Sequence, residues 1–138
     1  MSDNFFATVL LAKLDDTPGL EALEEAIRKS RKVGFDYVDD AEALEHFRSE
    51  IAEFEEAFAE DDDAHTADEA GDIQLLLVEL VRRRNGSLSV QTRETARKFL
   101  KRLEFVEQRI KAQGKTWADV KWPDDIKPLW KQAKKAGL

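Results

Sequence analysis

Leu44-Glu45-His46-Phe47-Arg48-Ser49-Glu50-Ile51-Ala52-Glu53-Phe54-Glu55-Glu56-Ala57-Phe58 and, after an acidic break, Glu69-Ala70-Gly71-Asp72-Ile73-Gln74-Leu75-Leu76-Leu77-Val78-Glu79-Leu80-Val81 decide the fold. In the first stretch Leu44, Phe47, Ile51, Phe54 and Phe58 recur at the three- and four-residue steps of one helix face. The second stretch is apolar nearly all round, so it is expected to be buried on more than one side. Asp61-Asp62-Asp63 is read as the turn between two antiparallel helices, the second starting near Thr66. Each helix carries a pair of carboxylates at i,i+3: Glu50 with Glu53, and Glu69 with Asp72. Residues three apart share a helix face, so pairing the helices is expected to bring four carboxylates to one point. Such a group needs a cation to neutralise it. A hard divalent ion such as Mg2+ prefers those oxygens.

Outward from this pair the chain stays helical. It has 138 residues, three Pro and six Gly, with no period-two stretch. A weak helix is expected over about 5–14, and Asp16-Thr17-Pro18-Gly19 is a turn signal. A second helix follows over about 19–31. Asp39 or Asp40 is placed to cap the third. Asn85-Gly86 ends the fourth, a fifth covers about 89–113, and Gly114 closes it. A short last helix is expected around 128–135. The expected class is all-α: a helical bundle with a four-helix-type core completed by dimerisation, with a tetramer as the alternative assembly. Residues 1–18 read as an N-terminal extension and 19–138 as the main domain.

Bulk composition narrows the function. The absence of Cys excludes disulfides, thiolate catalysis and Cys-zinc sites. The formal net charge is −7 and charged residues make up 37%. The acid is concentrated at 50–63, whereas the last third holds Arg93, Arg97, Lys98, Lys101 and Arg102. A nucleic-acid binder is more often basic throughout, so no stable nucleic-acid partner is expected. No apolar run is long enough for a membrane span, and Met1-Ser2-Asp3-Asn4 lacks the basic start of a signal peptide. The expectation is a cytoplasmic protein with no membrane partner.

Wheel position separates a site from a solvated face. Glu69, Asp72, Ile73, Leu76 and Leu80 form one stripe, so the acids prolong the core face. Gly71 beside them is expected to admit a close backbone approach. Glu50 and Glu53 flank the third helix's apolar stripe. The structural alternative is an ion pair with Lys or Arg. His46 and His65 each lie one turn before an acid, Glu50 and Glu69, and can approach from the edge. The simpler expectation for each is a part-exposed His without a role. A di-iron Glu-x-x-His arrangement is absent from both.

The ordered set of motifs resembles the MazG family of nucleoside triphosphate pyrophosphohydrolases, whose pattern is EExxE, a spacer, then ExxD. The matching segments are Ser49-Glu50-Ile51-Ala52-Glu53 and Glu69-Ala70-Gly71-Asp72. Lys32-Val33-Gly34-Phe35-Asp36-Tyr37 is similar to the family's KxGFDW segment, Gly71-Asp72-Ile73 to its GDLL and Arg97-Lys98-Phe99-Leu100-Lys101-Arg102 to its RKFxRR. Gln113-Gly114-Lys115 and Leu129-Trp130-Lys131 resemble its C-terminal end. The likeness covers about 19–135. Two positions depart from it: Ser49 replaces the first Glu, and Glu79 stands where members often have Asn, adding negative charge near the site.

The resemblance implies hydrolysis of NTPs or dNTPs to NMP and pyrophosphate, as nucleotide house-cleaning. It implies Mg2+, with Mn2+ as a substitute, held by Glu50, Glu53, Glu69 and Asp72. Glu50 and Glu53 become the catalytic pair, Glu53 accepting the proton of the attacking water. Lys98 and Arg102 would meet phosphates. Trp130 would stack on base or ribose, or equally anchor the last helix, and Lys134 would reach a phosphate. Trp117 and Trp122 read as packing residues. Ser49, Glu79, His46 and His65 are candidate modifiers. The alternative is a catalytically weak nucleotide- or metal-binding dimer acting as a sensor or interaction module.

Overall fold

The computed structural model describes residues 5–138 and, among them, contains helices and no strand. Met1-Ser2-Asp3-Asn4, read above for a targeting signal, lie outside the described residues. The helices are α1 (Phe6–Ala12), α2 (Gly19–Lys32), α3 (Asp40–Ala59), α4 (Asp63–Arg83), α5 (Leu88–Ala112) and α6 (Ile126–Lys135). Single 3-10 turns occupy Leu14–Asp16 and Trp117–Asp119. No described helix is long and apolar enough to cross a membrane.

The contacts divide the chain into two compact units, one reaching Gln91 and the other Thr92–Leu138. In the first, α3 against α4 is the main pairing, with α2 packed on α4 and α1 on α2. The α3–α4 connection is shorter than the triple Asp suggests. Asp61 takes a left-handed conformation (φ 55) that stops α3. The Asp62 side chain then accepts from the His65 N–H, so α4 begins at Asp63, not near Thr66. Asp39 caps α3 in the same way, accepting from the Glu42 N–H. The N-terminus of α5 is held by a distant carboxylate. Glu24 on α2 accepts from the Ser89 N–H at 2.7 Å and from the hydroxyls of Ser87 and Ser89.

Ile27, Ala43, Ala57, Leu76 and Val78 are buried in the first unit. Ile73, Leu75, Leu77, Leu80 and Val81 are only half-buried, so one chain leaves part of the apolar surface of α4 open. On α3, Phe47, Ile51 and Phe54 are half-buried, while Phe58 is 67% exposed. Gly71 opens onto empty space: nothing lies within 4 Å of a Cβ placed there, so the expected close approach is not made.

In the second unit Val106, Ile110, Val120 and Leu129 form the core, with Ile126 and Trp130 packed against it. Gly114 adopts φ 70, and the Lys115 N–H bonds back to the Ile110 carbonyl, which closes α5. Thr116 and Asp119 cap the following turn reciprocally. Trp122 is 61% exposed rather than packed.

Candidate metal centre

The pairing of α3 with α4 sets Glu50 opposite Glu69 and Asp72. One carboxylate oxygen from each lies within 4.8 Å of the others. The Glu50 and Glu69 side chains are 12% and 9% exposed. Asp72 is itself exposed at the edge, although it shares the stripe of Glu69. Glu53 does not join the three. It is exposed one turn further along α3, where its charge still reaches Glu50. The fourth expected ligand therefore stands apart from the other three. Ser49 is exposed and lies outside the acid set.

Both histidines are engaged. His46 Nε2 lies 3.0 Å from Glu50 Oε1, and His65 Nε2 lies 3.1 Å from Glu69 Oε1. Each contact spans one helical turn, with the His N-terminal to the acid. Both are exposed, as expected, and each is bonded to the acid one turn on. The i,i+4 spacing was the available signal, but spacing alone does not tell a paired His from a solvated one. His46 has a further partner on its other nitrogen, since Nδ1 meets the Tyr37 hydroxyl.

With Oε1 of each glutamate so occupied, the second oxygens remain. Glu50 Oε2 and Glu69 Oε2 are buried and have no hydrogen-bond partner among the described residues. Leaving a buried polar group unsatisfied is costly, the more so for a charge. Burial raises the Glu50 pKa, as do the facing Glu69 carboxyl and the charges of Glu53 and Asp72, while His46 works against them. Two orphaned, mutually repelling oxygens beside a third acid match the oxygen-rich donor set of a hard divalent cation. Mg2+ takes few protein carboxylates and keeps several waters, so three acids suffice.

Glu79 does not add free charge here. It is completely buried, and three guanidinium groups take up its carboxylate: Arg31 at 3.0 Å, Arg82 at 2.9 Å and Arg83 at 2.8 Å. Burial favours its neutral form, but bonds from Arg82 and Arg31 overcome that and hold its pKa below the ordinary 4.5. Arg83 also pairs with Asp36 and Asp40. Arg31 and Arg83 both approach the Tyr37 ring, at 5.3 and 5.9 Å from its centre. A groove of about 640 Å³ lies along this region, lined by Leu23, Ile27, Phe35, Tyr37 and Leu75, with Arg31, Glu42 and His46 as polar wall.

Lys98, Arg102, Trp130 and Lys134 belong to the second unit. There Trp130 is an anchor: it packs on the core, meets Phe99 edge-on at 5.6 Å and lies under the Arg102 guanidinium. Arg102 Nε donates to the Leu138 carbonyl at 2.9 Å. Lys98 and Lys134 are exposed. A role for these four towards substrate rests on the sequence resemblance alone. Searches with the chain match no family model and no curated protein.

Proposed function

We propose that the protein is a metal-dependent nucleoside triphosphate pyrophosphohydrolase, acting on NTPs or dNTPs as a homodimer of the MazG type. One observation carries the reading: Glu50 and Glu69 each keep a buried, unpartnered oxygen, in a group where one carboxylate oxygen from each and one from Asp72 lie within 4.8 Å of one another. The order and spacing of the acids supply the reaction class, through the resemblance to MazG enzymes. A bound Mg2+ would act as a Lewis acid on phosphate oxygens and lower the pKa of a coordinated water.

The residues then divide the work. Glu50, Glu69 and Asp72 hold the ion, while His46 and His65 fix the two glutamates. Water attacks the α-phosphorus, the bond to the bridging oxygen breaks, and pyrophosphate leaves. Glu53, exposed and outside the ligand set, takes the water's proton. The apolar groove beside His46 offers room for base and sugar. Half-buried α4 and the exposed Phe35, Val38 and Phe58 support a second copy that completes the bundle.

The position of Glu53 also favours the second reading, a metal- and nucleotide-binding dimer without turnover, because the proposed base is not held in place. Product analysis over a panel of NTPs and dNTPs separates the two. The enzyme reading expects NMP and pyrophosphate only with Mg2+, and none from Glu69→Gln. Orthophosphate as product would refute the reaction class. Nucleotide binding without turnover would support the second reading.

A further inference from the structure

His46 bridges two groups through its two ring nitrogens. Nε2 faces Glu50 Oε1 and Nδ1 faces the Tyr37 hydroxyl. A carboxylate accepts only, so Nε2 must carry the proton. In a neutral imidazole Nδ1 is then an acceptor, and the phenol is the donor that satisfies it. The Tyr37 ring is itself approached by the Arg31 and Arg83 guanidinium groups. Those two are fixed by buried Glu79 and by Asp36. His65 makes the matching bond to Glu69, and among the described residues no second partner meets its ring, so the two glutamates are not supported alike.

We propose that Tyr37 is a positioning residue for Glu50, acting through His46: its hydroxyl satisfies Nδ1 and holds the imidazole in place, so that the Nε2 proton locks Oε1 and Oε2 is left for the ion. This rests on reading the acid cluster as a divalent-cation site. Groups that orient a ligating side chain from behind are commonly worth ten- to a hundredfold in metal affinity. The aromatic ring is a separate asset from the hydroxyl, since Phe keeps the ring beside the two arginines.

The test is Mn2+ titration of the full chain in four forms: wild type, Tyr37→Phe, His46→Gln and the double variant. Gln at 46 retains an N–H for Glu50 but has no ring nitrogen for the Tyr37 hydroxyl to hold. Tyr37→Phe is expected to weaken Mn2+ binding about tenfold in the wild-type background and to leave the His46→Gln background unchanged. Nitrogen-15 shifts of His46 in the metal-free protein should show the proton on Nε2 in wild type, and a changed Nδ1 shift in Tyr37→Phe, where that nitrogen loses its hydrogen bond. Equal losses in both backgrounds would mean that the hydroxyl serves packing, and would overturn the proposal. So would a metal-free wild type with its proton on Nδ1. Failure of the wild type to bind Mn2+ at all, with the expected tautomer present, would sink the metal-site reading and with it the positioning role.

Discussion

Glu79 and Glu50 are both buried acids on the helix pair, yet their surroundings treat their charges oppositely. Glu79 is matched by three guanidinium groups, and Glu50 by one imidazole against three further acids. Glu79→Gln is expected to destabilise the fold by about 3 kcal/mol in urea titration, at the low end for breaking a buried ion pair. The loss is limited because Arg31 and Arg83 keep Asp36 and Asp40. Its pKa is held below 4.5 in the fold. The stability it gives is therefore complete above that value and lost as pH falls through the lowered one. The acid limb of the wild-type stability curve should be steeper than that of Glu79→Gln, and parallel limbs would contradict this. Glu50→Gln is expected to act the other way. Relief of repulsion on the order of 1 kcal/mol should raise the metal-free Tm by about 3–5 °C. The same variant should lose any Mg2+-dependent rise in Tm, because the proposed ion would lose a ligand. A metal-free Tm at or below that of the wild type would contradict the assignment.

At the scale of elements, local rules were legible and distant pairings were not. The cap of α3 at Asp39 and the stop of α5 at Gly114 follow from neighbours within five residues, as do the i,i+3 acids and the i,i+4 histidines. The sequence offers Asp39 or Asp40 for the first and Gly114 for the second, but puts the start of α4 near Thr66, because a left-handed Asp61 makes the turn tighter than three acidic residues suggest. Glu79 was misjudged for the opposite reason. One of its partners, Arg31, lies 48 positions away, and no periodicity announces such a pair. Glu24 is a parallel case, capping α5 from 65 positions away. Glu24→Ala should cost about 1 kcal/mol, as loss of a helix cap does, and should raise amide exchange over Ser89 and its neighbours. Unchanged exchange there would show that α5 starts without it.

For the whole molecule, the all-helical class was legible from composition and period alone. Exposed apolar surface bears on what completes the bundle. Phe35, Val38 and Phe58 are 75%, 85% and 67% exposed, and Leu11 is 70% exposed. Together with the half-buried face of α4, these side chains support the proposal that a second copy covers apolar surface. Light scattering is expected to give a species of at least twice the 15.8 kDa chain mass. A stable monomer at micromolar concentration would remove the dimeric part of the account. Burial of Phe58 can be followed in the same samples, because Phe58→Glu should shift the equilibrium towards monomer if that face is covered.

The acid cluster is the centre of the account, and an ion seen in place tests it most directly. Crystals soaked in Mn2+ should give an anomalous peak between Glu50 Oε2, Glu69 Oε2 and an Asp72 oxygen, about 2.0–2.6 Å from each. A Lys or Arg side chain occupying that position, or a peak only elsewhere on the acidic surface, would contradict it.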